Sequence, residues 1–248
     1  MAIKIGLDPG HGGTSPGTNS IDSAKDGIYE KTYALELCQM IAERLIRAGF
    51  EVFMTRTGDT KPGNVSERAL ACVAAGCDYA VSVHFNGSAN AAANGCEVFV
   101  PYKETFANIE VGFYNGLSRF FKIRKPFARS TNINNRNETT DKRMNLETKR
   151  FEVVANKKEY FGFIRTAWEK GLSADLLEVC FLTNRLDYDT SVEHKAEIAD
   201  ALAAAIVEGF GKQMQKPITK ATTETPVKVP EKTAVKGVTS AKGRIRIK

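Results

Sequence analysis

No stretch of the chain reaches the roughly 18 consecutive apolar residues that a membrane-spanning helix needs, so no membrane span is expected. The start, Met1-Ala2-Ile3-Lys4, runs directly into an apolar strand pattern and shows no secretory leader, which points to synthesis in the cytoplasm without a signal peptide. Cysteines number five, an odd count without C-x-x-C spacing, and Cys38, Cys72, Cys77, Cys96 and Cys180 all sit among apolar neighbours. That pattern excludes an even disulfide framework and reads as reduced core thiols in a reducing compartment. Gly10, Gly12 and Gly13 are followed by no Lys-Ser/Thr pair, and there is no G-x-G-x-x-G, so a nucleotide site is not expected. Histidine is scarce as well, with three residues in 248.

What is present is the composition of an ordinary globular protein, 42% hydrophobic and 26% charged. The net charge of +6 is unevenly spread. From Lys216 onward nine Lys/Arg face Glu224 and Glu231, a surplus of +7, which leaves residues 1–215 at −1. A nearly neutral folded part argues against a nucleic-acid partner. The tail, 216–248, is a basic Lys/Thr/Pro-rich linker without aromatic residues, or the start of a further module. It cannot bury a core and is expected to be flexible.

Residues 3–7 read as a short buried strand that ends in Asp8-Pro9-Gly10-His11-Gly12-Gly13 and a long polar loop to about residue 27. A helix over 30–48 carries Tyr33, Leu37, Ile41 and Leu45 on one stripe, with Gly49 as its stop. A strand over 51–56, a helix capped by Asn64 or Ser66 and running to 75, and a strand over 79–84 continue a β-α-β-α-β order. Further strands are expected over 96–101, 161–165 and 175–181, and helices over 106–121 and 189–214. The polar, basic segment 129–158 interrupts the alternation and reads as an inserted lid or excursion. These lengths predict one three-layer α/β domain over 1–215, a mostly parallel twisted sheet with helices on both faces.

Two of the histidines fall just beyond the carboxyl ends of strands, where open α/β sheets gather functional groups. His11 follows the first strand, and His84 ends the third within Ser82-Val83-His84-Phe85-Asn86. Two imidazoles on one rim suit zinc, which takes nitrogen ligands and a third oxygen or nitrogen ligand and keeps one position for water. Glu30, in the first turn of its helix, is a candidate third ligand. For either histidine alone, a surface or hydrogen-bonded core role is the alternative.

The sequence resembles the zinc-dependent N-acetylmuramoyl-L-alanine amidases (Amidase_3) of bacterial autolysins and phage endolysins. The resemblance rests on Leu7-Asp8-Pro9-Gly10-His11-Gly12-Gly13, Glu30, Ser82-Val83-His84-Phe85-Asn86 and Leu177-Glu178-Val179-Cys180-Phe181-Leu182-Thr183-Asn184, in that order over about residues 1–214. It implies one zinc ion on His11, Glu30 and His84, Glu178 as catalytic carboxylate, and cleavage of the amide between N-acetylmuramic acid and L-alanine in peptidoglycan. Zinc held in this way acidifies water and polarises an amide carbonyl. Glu178 would take a proton from the attacking water and pass it to the amine, which must leave protonated.

Arg68, which falls where the family has an arginine on its second helix, and Glu97, in the strand after the His84 motif, are candidates for supporting or substrate-binding roles. Structural ion pairs are the alternative for both. Asn86 is expected to fix the loop after His84, and His194 reads as plain surface. Arg and Lys of 129–158 would be available to muropeptide carboxylates. The leaderless start favours a phage endolysin that reaches the wall after release over a host autolysin. The tail then resembles a tether to a wall-binding module, drawn to anionic wall polymers, and a monomer is expected. A zinc peptidase of the cell wall and a catalytically inactive wall-binding module are the competing readings. The second would need no general base.

Overall fold

The computed structural model describes residues 2–101, 107–132, 140–145, 150–151, 157–159 and 161–212. The expected tail lies outside them. The elements are β1 (Lys4–Pro9), α1 (Ser23–Asp26), α2 (Glu30–Arg47), β2 (Glu51–Met54), α3 (Val65–Ala74), β3 (Tyr79–Asn86), β4 (Cys96–Phe99), α4 (Ala107–Leu117), β5 (Ile123–Asn132), β6 (Thr140–Asn145), β7 (Arg150–Phe151), β8 (Lys157–Glu159), α5 (Gly162–Glu169), β9 (Ala174–Phe181), α6 (Arg185–Glu193) and α7 (Lys195–Gly209). The sheet order is β2-β1-β3-β9-β4-β5-β6-β7, with β8 on β5.

Alternation along the strands sorts the two faces. Ile5 and Leu7 of β1, Tyr79, Val81, Val83 and Phe85 of β3, Leu177 and Val179 of β9, and Cys96 and Val98 of β4 enter the main core. That core is closed by the buried stripe of α2, Tyr33, Leu37, Ile41 and Leu45, and by α4 and α7. The opposite face is covered by α3 and α5 and holds a smaller cluster of Ala69, Cys72, Ala80, Phe163, Ala167, Leu172 and Ala174. Towards the carboxyl ends of β1, β3 and β9 this second face turns polar, with Asp8, Ser82, His84 and Glu178 at successive alternate positions. Among the described residues no helix is long and apolar enough to cross a membrane.

The helices follow their local signals. Asn64 accepts from the Ser66 and Glu67 N–H groups while the Glu67 carboxylate accepts from the Asn64 N–H, a complete capping box on α3. Asn64→Ala is expected to cost about 1 kcal/mol, read as a shift in the urea midpoint at unchanged slope; a shift near zero would remove this cap from the stabilising interactions.

Several expectations change. The strand expected over 161–165 is helix α5, because Phe163, Ile164 and Ala167 recur at helical spacing and bury one side. The single closing helix over 189–214 is two helices, one beginning earlier at Arg185 and broken from the next at His194, and the second ends at Gly209 rather than 214. The sheet is parallel across β2-β1-β3-β9 and between β4 and β5, but β4 runs antiparallel to β9. The nine residues 87–95 therefore carry the chain from β3 over the end of β9 and back along the same rim. The expected excursion 129–158 contributes sheet in its described parts: β6 and β8 pair antiparallel with β5, and β7 with β6. Because β5 runs with β4, residues 129–132 lie at the end of the sheet away from His84 and Glu178.

Candidate metal centre

His11 stands in the loop directly after β1 at φ 58, the left-handed region, followed by Gly12 and Gly13 at φ 130 and 56. A non-glycine residue holds such a conformation when its surroundings dictate it. Arg56, buried, does much of this. Its guanidinium donates to the carbonyls of Pro9 at 3.1 Å, Gly10 at 2.8 Å, Lys31 at 2.6 Å and Gly58 at 3.2 Å. One arginine thus ties the His11 loop to the first turn of α2. Below it, Asp8 accepts from Arg68 Nε and Nη2 at 2.8 and 2.7 Å, from Ser82 Oγ at 2.6 Å and from Thr55 Oγ1 at 2.5 Å. Arg68→Ala leaves that buried carboxylate without its cation, and a loss of about 3–5 kcal/mol is expected in urea unfolding. A loss below about 1 kcal/mol would show that Ser82 and Thr55 suffice.

The long loop folds back on the start of α2. The Glu30 N–H donates to the Thr18 carbonyl at 2.9 Å and the Lys31 N–H to that of Pro16 at 3.0 Å. A carboxylate at this position also meets the positive end of the helix. Glu30 Oε1 lies 2.9 Å from His84 Nδ1 and accepts from the Phe85 N–H at 3.1 Å. Glu30 Oε2 lies 3.2 Å from His11 Nε2 and accepts from the Thr18 N–H at 2.8 Å. His11 Nδ1 is 3.0 Å from Ser15 Oγ, which leaves Nε2 to face the cluster. Burial alone would raise the Glu30 pKa, but hydrogen bonds from His11 and His84 and their charges outweigh it and hold the carboxyl well below the usual range.

The three candidate ligand atoms all lie within 4.8 Å of one another, so His11, Glu30 and His84 could hold a metal ion. Two imidazole nitrogens and one carboxylate oxygen fit zinc: bonds of about 2 Å in a tetrahedron put ligand atoms about 3.3 Å apart. On one side the surrounding loop packs closely against this set. A Cβ at Gly10 would stand 2.6 Å from His84 Nδ1, and one at Gly17 2.4 Å from Glu30 Oε2.

Glu178 is the register partner of His84 on one side and of Glu97 on the other. It lines the same open cavity of about 470 Å³ as His11, Glu30 and His84, with Ser15, Thr18 and Asn86 on its walls. Its Oε2 is buried and has no hydrogen-bond partner among the described residues. Burial, and after it the charges of Glu30 and Glu97, push its pKa well above the usual carboxylate value. Beyond it, Asn86 Nδ2 donates to Glu97 Oε2 at 2.8 Å, and Arg124 Nε is 3.5 Å from Glu97 Oε1 with its guanidinium 4.9 Å from the Phe181 ring centre.

Of the residues singled out from sequence, His11, Glu30, His84, Asn86 and Glu178 share one cavity, and Glu97 pairs with Asn86 behind its wall. Arg68 lies outside it and holds the root of the His11 loop. His194, half-exposed, does not line the cavity and stands at the junction of α6 and α7, 3.6 Å from Glu197. Sequence reasoning missed Arg56, Ser15, Thr18 and Arg124. An arginine closing the strand pattern 51–56, two residues after the apolar Val52-Phe53-Met54, was an available signal for the first. Thr18 acts through its backbone, which no side-chain pattern reveals.

The N-acetylmuramoyl-L-alanine amidase family (Amidase_3) matches residues 5–209. The chain is 31% identical over 86 residues to the sporulation-specific N-acetylmuramoyl-L-alanine amidase of Bacillus subtilis, which covers 34% of this chain and 31% of that protein. The matched stretch thus spans about a third of that relative. Among solved structures, Cwp6 from Clostridium difficile superimposes with a TM-score of 0.63 at 22% identity over 84% of this chain and 29% of that one. The catalytic domain of CwlV, N-acetylmuramoyl-L-alanine amidase from Bacillus (Paenibacillus) polymyxa var. colistinus, gives 0.58 at 23% identity over 85% and 99%. Both likenesses concern the fold.

Proposed function

The chain belongs to the N-acetylmuramoyl-L-alanine amidase family, and from that premise we propose that it hydrolyses the amide between N-acetylmuramic acid and L-alanine in peptidoglycan, with one zinc ion on His11, Glu30 and His84 and with Glu178 as catalytic carboxylate. The observation that carries this reading is the buried Glu178 oxygen, unpartnered among the described residues, opposite His84 in a cavity shared with the His-Glu-His cluster. When bound there, zinc supplies a Lewis acid and lowers the pKa of water. Glu178 receives the proton of the attacking water and delivers it to the departing amine; a carboxyl whose pKa is raised by burial suits the donating half of that exchange. Asn86, Glu97 and Arg124 brace the far wall.

Purified cell walls incubated with the zinc-loaded chain should gain free L-alanine amino termini, and a chelator should stop the gain. Appearance of other amino termini would make the enzyme a wall peptidase, and binding without release would make it a wall-binding module. Ser15→Ala removes the partner of His11 Nδ1 and should weaken zinc about tenfold in competition with a chelating dye; unchanged affinity would free Ser15 of any orienting role.

The domain division belongs to the same proposal: a catalytic domain over 1–215 and a basic tether over 216–248. Deleting 216–248 should leave cleavage of soluble muropeptides unchanged and weaken lysis of whole walls, with the difference shrinking as salt rises. A lower melting temperature on deletion would place the boundary elsewhere. An endolysin role, the finer part of the reading, requires that the unprocessed chain lyse host cells once a membrane-permeabilising agent lets it reach the wall. Lack of lysis would favour wall turnover by the host.

A further inference from the structure

Two thiols meet on the face of the sheet covered by α3. Cys72, on the last turn of α3, is fully buried, and Cys77, just before β3, is half-buried. The turn between them is tight: Gly76 lies at φ 69, its N–H donates to the Val73 carbonyl at 3.0 Å, and the Cys77 N–H donates to the Cys72 carbonyl at 3.2 Å. This helix-ending turn folds residue 77 back over residue 72. Both sulfurs converge on one point of β1, since a Cβ at Gly6 would stand 2.9 Å from Cys72 Sγ and 3.2 Å from Cys77 Sγ.

We propose that Cys72 and Cys77 form a thiol–disulfide site that reacts with low-molecular-weight disulfides. The Cys77 thiolate attacks one sulfur of the reagent, forms a mixed disulfide and releases the first small thiolate. Cys72 then gives its proton to that thiolate and attacks the Cys77 sulfur, and the second small thiolate leaves and takes up from water the proton that Cys77 had released. Two protein thiols are oxidised to one disulfide while one small disulfide is reduced to two thiols. The division of roles follows from the surroundings. A hydrogen bond from Cys72 favours the Cys77 thiolate against the opposing effect of burial, Lys4 adds to it, and the same hydrogen bond keeps the proton on Cys72. A half-exposed, acidified thiol beside a resolving one is the arrangement of reversible oxidation. Cys38, Cys96 and Cys180 are fully buried, so a reagent meets Cys77 first. The new bond would fix the end of the helix whose Arg68, one turn earlier, holds Asp8.

The test treats the full chain with excess oxidised glutathione, then counts thiols after denaturation and maps the cross-link by proteolysis. Of the five thiols three should remain, with Cys72 joined to Cys77 and reversal by dithiothreitol. Cys72→Ser should stop at a glutathione adduct on Cys77, and Cys77→Ser should keep all its remaining thiols. Five free thiols in the unaltered chain, a stable glutathione adduct there, or a cross-link between other cysteines would each overturn the proposal. The unaltered chain alone decides it if either variant fails to fold.

Discussion

Glu178→Gln is expected to lower amide hydrolysis about a hundredfold or more while the chain keeps its fold and its zinc. The two side chains have nearly the same shape, and Glu178 Oε2 accepts no hydrogen bond among the described residues, so the substitution orphans no donor. On the proposed function, what it removes is the proton carrier. Zinc stoichiometry and release of L-alanine termini should be measured on one preparation; near-normal release would assign the carrier elsewhere. Thermal stability offers an independent reading. In the folded chain the Glu178 carboxyl is pushed above its ordinary pKa, first by burial and then by Glu30 and Glu97. Such a group stabilises fully below its unfolded pKa and loses that contribution as pH rises through the folded value. The metal-free Gln variant should therefore melt higher than the parent at neutral pH, with the gap closing as pH falls into the ordinary carboxylate range. A gap that stays constant with pH would show that Glu178 is not the group responsible.

His84→Ala is expected to abolish zinc binding and hydrolysis together. His84 Nδ1 is 2.9 Å from Glu30 Oε1, and Glu30 is buried with its charge held by His11 and His84. Without His84 the site keeps two ligand residues and a carboxylate that has lost one of its imidazole partners, so the metal-free variant should also be less stable. Zinc content by mass spectrometry under native conditions should fall from one per chain to none; a variant that still binds one ion with undiminished affinity would exclude His84 from the site. His11→Ala should lose zinc likewise, with a smaller stability penalty, because His11 is the more exposed of the two.

The parts of this molecule that a pattern can describe were legible from sequence. The α2 stripe, the Asn64 cap and the alternating β1, β3 and β9 each express one period and one neighbourhood. His11 and His84 were legible because parallel strands deliver their carboxyl ends to one rim. Residues 161–165 were misread because a short apolar run satisfies both periods, and its helical outcome depends on packing against α3. The reversal of β4 could not be read either. It depends on pairing with β9, a strand far along the chain. Arg56 and Ser15 act on carbonyls and an imidazole that become neighbours after folding, so their importance is tertiary by nature.

The reversal of β4 has a consequence for how the cavity can vary. Had β4 run parallel to β9, the chain leaving β3 would have needed a crossover of about a dozen residues or more, taken down the outside of the sheet and away from the rim. Instead residues 87–95 stay at the rim as an arch over the end of β9, pinned to the segment leaving that strand. The Ser88 N–H donates to Thr183 Oγ1 at 3.0 Å, Asn184 Nδ2 to the Ala91 carbonyl at 2.8 Å, and the Gly95 N–H to Asp187 Oδ2 at 2.7 Å. The exposed stretch 89–92, held only through the Ala91 carbonyl among these pins, contributes no residue to the main core. The arch is thus a wall whose height is uncoupled from the core beneath it. Gly87, at its start, lines the cavity, so lengthening or trimming the arch is expected to alter that edge of the cavity without disturbing the strands that deliver His84 and Glu178 to the rim.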